Sequence, residues 1–149
     1  MTKRLTSIIS ALLIMCLFVV PLSPVSAATA PETEVMPCYN NVSTVTGAMS
    51  INDSGKMTIS YRYTGSSSIT TKAVITTYIE KKFLGLFWKR VDIGTTNDEW
   101  VDTVYDYMYA GSRTHQLSAS GTYRVTINYK IYGSGGSADE IEMQKTDSY

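Results

Sequence analysis

Residues 121–133, Gly-Thr-Tyr-Arg-Val-Thr-Ile-Asn-Tyr-Lys-Ile-Tyr-Gly, alternate without a break. Tyr123, Val125, Ile127, Tyr129 and Ile131 fall on one face, and Thr122, Arg124, Thr126, Asn128 and Lys130 on the other. A period of two excludes an amphipathic helix here, because a helix returns to the same face only every three to four residues. The β-branched and aromatic content agrees with a half-buried strand. Eleven residues separate the two glycines. That is long against a usual strand of about five or six, so a central strand with neighbours on both sides is expected.

The same period recurs upstream. Val45, Gly47, Met49 and Ile51 alternate with polar residues, and Asn52-Asp53-Ser54-Gly55 supplies a turn. Met57, Ile59, Tyr61 and Tyr63 then alternate with Lys56, Thr58, Ser60, Arg62 and Thr64, which predicts a hairpin. A third strand is expected over 71–81, with Ala73, Ile75, Thr77 and Ile79 inward, and a fourth over 87–93. Residues 100–109 read as a fifth. Trp100, Val104 and Met108 also have helical spacing behind a capping Asn97 or Asp98, but the Val, Thr and Tyr content favours strand. Ala110-Gly111-Ser112 reads as a turn and 113–118 as a short strand bearing His115 and Leu117. After a Gly-rich turn at 133–137, residues 140–145 form the last strand, with Ile141 and Met143 inward. The expected fold is all-β, an antiparallel immunoglobulin-like β-sandwich of seven to eight strands over residues 39–149. Tyr123 is placed for a tyrosine corner, and no Cys-Trp-Cys pattern marks a true immunoglobulin domain.

The N-terminus reads as a signal peptide, residues 1–27. Lys3 and Arg4 precede an apolar run at 8–20 that is short for a bilayer span, Pro21 and Pro24 break it, and Val25-Ser26-Ala27 is a small-residue cleavage motif. The expectation is a secreted chain with no stable membrane span after cleavage, its residues 28–38 forming a flexible lead-in. The whole chain has 13 basic and 13 acidic residues; losing Lys3 and Arg4 leaves 11 against 13, a net charge of −2. That is not the footprint of a nucleic-acid-binding protein. Cys38 is then the one cysteine left, so no intrachain disulfide is available. A small buried apolar residue is the ordinary reading of Cys38, and a bridge between two chains or a reactive thiol is the alternative. The sequons at Asn41 and Asn52 are read as chance matches without glycan.

Little in the sequence supports catalysis. His115 is the chain's one histidine, so any Ser-His-acid or Cys-His site must use it. It shares a strand face with Leu117, and an edge or partly packed role is expected. The glycines of 133–137 open no helix and so cradle no phosphate, and no histidine or cysteine pair has zinc spacing. Asp98, Asp102 and Asp106 recur every four residues, about 13 Å apart on a strand, too far for one ion. They read as a solvated acidic face. No enzyme activity, catalytic residue, metal or cofactor is expected.

Two surfaces stand out as binding candidates. A hairpin of the fourth and fifth strands with Asp92 opposite Trp100 sets Arg90 against Asp102 and Trp88 against Val104. Trp88, Arg90, Trp100 and Asp102 then share an outer face, while Phe87, Val91, Ile93, Val101, Tyr105 and Tyr107 line the core side. Exposed indoles among hydrogen-bonding charges suit a sugar ring or a protein partner. Burial of both tryptophans in a satellite cluster is the competing reading. The second candidate is 83–88, apolar without alternation and flanked by Lys81, Lys82, Lys89 and Arg90. A plug for one end of the sandwich is the reading preferred here. The alternative is a tip of Phe83, Leu84, Leu86 and Phe87 that docks on a partner or a lipid surface.

Phe-Trp-Lys-Arg-Val at 87–91, Trp-Val-Asp-Thr-Val-Tyr-Asp-Tyr at 100–107, Gly-Thr-Tyr-Arg-Val at 121–125 and Ile-Tyr-Gly-Ser-Gly-Gly at 131–136 carry a family likeness. The chain resembles small secreted proteins of Gram-positive bacteria, chiefly Clostridia and relatives, grouped as a domain of unknown function. The resemblance covers most of the mature chain. It implies export and a small β-rich domain, and it implies no activity and no site residues. The function expected is that of a non-catalytic extracellular or cell-surface binding module for a glycan or protein. The alternatives are a bacteriocin-like or membrane-active effector acting through 83–88, and an envelope protein that self-assembles through edge strands or Cys38.

Overall fold

The computed structural model describes residues 39–149. The expected signal peptide at 1–27, the expected lead-in at 28–38 and Cys38 lie outside the described residues. The strands are β1 (Val42–Ile51), β2 (Lys56–Gly65), β3 (Thr70–Phe83), β4 (Phe87–Arg90), β5 (Trp100–Val104), β6 (Met108–Gln116), β7 (Thr122–Gly133) and β8 (Asp139–Ser148). Every pairing is antiparallel. One sheet has the order β1-β2-β6; the other runs β4-β3-β7-β8, with β5 also on β3. That division of early, middle and late strands between two sheets is the order of an immunoglobulin-like sandwich.

The alternation read from the sequence decides what lies between the sheets. Met57, Ile59, Tyr61 and Tyr63 from β2 face Ala73, Ile75 and Ile79 from β3 and the Tyr123–Ile131 ladder of β7, all buried. Strand β7 is central, paired with β3 on one side and β8 on the other. Each large side chain fully buried there contributes about 1.5–3 kcal/mol relative to exposure, so this interior is the main support of the fold. The β1–β2 turn forms as expected. Gly55 takes φ 76°, and the Asn52 side-chain oxygen accepts backbone N–H bonds from Ser54 and Lys56 at 3.1 and 2.9 Å. Tyr123 donates its hydroxyl hydrogen to the Ala119 carbonyl four residues upstream, the bond of a tyrosine corner.

Polar side chains close the sandwich where the ladders end. The buried Asp139 carboxylate accepts the backbone N–H groups of Asn40, Asn41 and Val42 at 3.0, 2.7 and 3.1 Å, which ties the start of β1 to β8. Asn41 itself is buried, and its side-chain amide donates to the Ser137 carbonyl at 2.7 Å.

The expected fifth strand, 100–109, is two strands in different sheets. Strand β5 ends at Val104, residues 105–107 cross over, and β6 begins at Met108. The crossing is held by two bonds into β2: the Tyr63 hydroxyl donates to the Asp106 carbonyl at 2.6 Å, and the Gly65 N–H donates to the Tyr107 carbonyl at 2.7 Å. Ala110, Gly111 and Ser112 therefore lie inside β6 and not in a turn. Gly111 sits opposite Tyr61 because the ring fills the space of a side chain; a Cβ there would lie 2.4 Å from the ring.

Candidate functional site

The hairpin register expected between the fourth and fifth strands does not occur. Strands β4 and β5 lie end to end along one edge of β3: β4 pairs with Glu80–Phe83, and β5 with Ala73–Thr77. Fourteen residues make β3 long enough for both. The link between them turns through Gly94, Asn97 and Asp98, all at positive φ. Side chains directly opposite in an antiparallel pair share a face, so Trp100, Asp102 and Val104 point inward with Thr77, Ile75 and Ala73. With β3 and not β4 as its partner, β5 takes its facing from β3, and that overturns the expected shared outer face.

Trp88 and Arg90 are on the outer face and Trp100 and Asp102 are not, so the four form no common site. Val101 and Tyr105, expected in the core, are 53% and 77% exposed. Phe87 and Tyr107 are exposed too, whereas Val91 and Ile93 pack partly on the core as expected. The Asp98–Asp102–Asp106 series is likewise not one acidic face. Asp98 is in a 3-10 turn, Asp102 points inward and Asp106 lies in the crossing.

Inside, Asp102 accepts hydrogen bonds from the Tyr61 hydroxyl and an Arg113 guanidinium nitrogen. Burial, then the Asp102 hydrogen bond, pushes the Tyr61 phenol well above its ordinary range. The Nε of Arg113 is buried without a partner. Trp100 packs edge-on against His115, ring centres 6.4 Å apart, which gives the histidine a packing role. This cluster joins β5 to β2 and β6, so it braces the open edge of the sandwich. Among the described residues no three His, Cys, Asp or Glu side chains converge as metal ligands.

On the outer face, protein cations already cover the aromatic rings. Arg124 stands 4.4 Å and Lys82 5.7 Å from the Trp88 ring, and the Arg90 guanidinium stacks 3.4 Å over Tyr78. Arg124 is fixed by Glu80 at 2.7 and 2.9 Å. A groove of about 450 Å³ lies beyond, lined by Thr76, Asn128, Lys130, Glu140 and Glu142 among others. Its one aromatic residue, Tyr129, is turned into the core and donates to the Thr46 carbonyl at 2.7 Å. The groove therefore offers no ring for a sugar to stack on.

Among the described residues, the β3–β4 tip stands unpartnered. Pairing of β3 with β7 stops at Lys81, while pairing with β4 continues to Phe83 opposite Phe87, so the ribbon projects beyond the sheet. Phe83, Leu84, Leu86 and Phe87 are 50%, 75%, 81% and 51% exposed. The expected plug is thus overturned: the run lies past the end of the sheet, where none of the described residues forms a second layer over it. The Phe83 and Phe87 rings meet at 5.3 Å. Leu84 and Gly85 both have positive φ, 50° and 70°, the condition of a type I′ turn. That turn usually takes Asn-Gly; a leucine in the left-handed region costs roughly 1–2 kcal/mol.

The register also brings together a pair that pattern reading missed. Lys81 lies directly opposite Lys89, and like charges so placed are destabilising. The Lys81 ammonium leans over the Tyr123 ring at 5.4 Å, a partial offset. The signal was present as lysines on both flanks of 83–88, but pairing them required knowing where the turn falls. No protein-family model matches this chain, and no curated protein is similar to it.

Proposed function

We propose that this chain is a non-catalytic binding module that works outside the cell and attaches through the β3–β4 tip. The observation that carries this reading is the cluster of four large apolar side chains, Phe83, Leu84, Leu86 and Phe87, exposed together on a projecting hairpin. Scattered surface apolar residues need no explanation, whereas a contiguous apolar projection marks a contact surface. A strained Leu84 and an opposed lysine pair only partly offset by Tyr123 add to the case, since such local costs concentrate at functional sites. The extracellular setting rests on the signal-peptide pattern and on the resemblance to exported Gram-positive proteins. A stacking site for a glycan on Trp88 and Trp100 loses its support, because the two indoles are on opposite faces of the sheet.

The test is sedimentation of the processed, labelled chain, recovered from the medium of a Gram-positive host, with intact Gram-positive cells. The wild type is expected in the pellet and the Leu84→Ser/Leu86→Ser variant in the supernatant. Both leucines are solvent-exposed, so the variant's stability should stay within about 0.5 kcal/mol of wild type. Equal pelleting of the two proteins overturns the reading.

A further inference from the structure

We infer that the surface engaged by this tip is the headgroup–acyl boundary of an anionic lipid bilayer. The inference rests on the reading of the tip as the contact surface and names what it contacts.

Four properties of the ribbon fit that target. The first is shape. The tip is two strands wide, with Leu84 and Leu86 standing out from its end. A stable protein interface needs about 800 Å² of complementary surface on each partner, which a narrow projection does not present. A fluid bilayer needs no matching shape. The second is reach. Three residues separate Lys81, where β7 stops supporting β3, from Gly85 at the turn. At about 3.3 Å per residue, and allowing for the turn, the tip extends about 10 Å beyond the sheet. Interfacial elements bury their apolar part about 5–10 Å into the headgroup–acyl boundary.

The third property is the order of side chains along the ribbon. Phe83, Leu84, Leu86 and Phe87 occupy the end. One position back, Lys82 lies opposite Trp88, and one further, Lys81 lies opposite Lys89. Tryptophan and lysine at the headgroup level with aliphatic and phenyl groups beyond is the arrangement of a membrane-interface anchor. Because successive positions alternate in face, the Lys81–Lys89 pair is on one side of the ribbon and Lys82 on the other. The cations therefore form a collar and not a patch.

The fourth is charge. No acidic residue occurs between Lys81 and Val91. Glu80 is engaged by Arg124, and Glu99 lies 4.0 Å from Arg90. The opposed Lys81 and Lys89 repel each other in the free protein, and phosphate headgroups between them relieve that repulsion. Anionic lipid is thus favoured over neutral lipid, with each collar cation changing affinity by about fivefold near a charged surface.

The experiment is co-sedimentation of the processed chain with phosphatidylglycerol–phosphatidylcholine vesicles and with pure phosphatidylcholine vesicles. Salt is raised from about 0.1 M to about 1 M, which shortens the Debye length from about 10 Å to about 3 Å. Binding is expected to the anionic vesicles, weakened at high salt. Leu84→Ser/Leu86→Ser should abolish it, and Lys82→Glu/Lys89→Glu should remove the preference for anionic lipid. The inference is overturned if the wild type binds neither vesicle, if the leucine variant binds as well as wild type, or if the lysine variant keeps the anionic preference. Absence of vesicle binding alongside tip-dependent binding to cells leaves the tip as the contact surface and makes its target a surface protein or polymer. Loss of both vesicle binding and tip dependence on cells removes the function reading as well.

Discussion

At the residue scale, Asp102 shows how a polar group is kept between two sheets. Its carboxylate takes hydrogen from Tyr61 and from Arg113, which already has one buried nitrogen without a partner. Removing the carboxylate leaves a partly buried guanidinium and a phenol unsatisfied, and hydrogen bonds to charged groups are worth about 1.5–3 kcal/mol each. The Asp102→Ala variant should lose about 2–3 kcal/mol of stability. Asp102→Asn, which keeps an accepting oxygen, should lose less. Urea denaturation of the two variants measures both, and a neutral Asp102→Ala refutes the bracing role. From the sequence alone Asp102 looked like one of a solvated acidic series. Its partners are remote in the chain, so no local pattern signals them.

At the element scale, β6 shows what a glycine inside a strand is for. Gly111 is a poor strand residue on propensity, and beside Ala110 and Ser112 it looks like a turn. In the sheet it faces Tyr61, whose ring lies across the bare backbone. An added methyl at Gly111 meets the Tyr61 and Tyr109 rings at 2.4 and 2.9 Å, and crowding of that kind costs about 1–3 kcal/mol. Gly111→Ala should therefore lower the melting temperature, and by less in a Tyr61→Leu background than in the wild type, which a double-mutant cycle measures; unchanged melting of Gly111→Ala counts against the ring-on-backbone contact. The same scale explains the tip. Strand β3 outruns β7, and its overhang has only β4 beside it, so apolar residues there stay exposed whatever their hydrophobicity.

At the scale of the whole molecule, three tyrosines with their rings in the shared interior make stability depend on alkaline pH. Burial, then the nearby Asp106 charge, pushes the Tyr63 phenol up to about 12. Burial raises Tyr61 and Tyr129 as well. In the unfolded chain a tyrosine titrates near about 10, so above that pH the unfolded state has lost protons that the folded state still holds. Stability is then full below about pH 10 and falls as pH rises toward the folded-state values. Urea midpoints measured from about pH 9 to about pH 12 should decline across the window, and Tyr63→Phe should flatten the decline. A midpoint that stays level through the window rules out the buried-phenol account.

The sequence by itself determined the class of fold, the central strand at 121–133 and most of the residues that face the core. It did so because the strand period is a local property, readable wherever alternation is unbroken, as in β2, β3 and β7. The tyrosine corner was legible for the same reason: its acceptor lies four residues away in the chain. What only the tertiary structure decided was register. The choice of β3 as partner for both β4 and β5 turned Trp100 and Asp102 inward, divided 100–109 between two sheets and left 83–87 beyond the end of the sheet. Such pairing depends on which distant edge a short strand meets, and one residue of slip exchanges core for surface. The apolar run at 83–88 was visible from the start. Whether it would seal the sandwich or project from it was settled by how far β7 runs alongside β3.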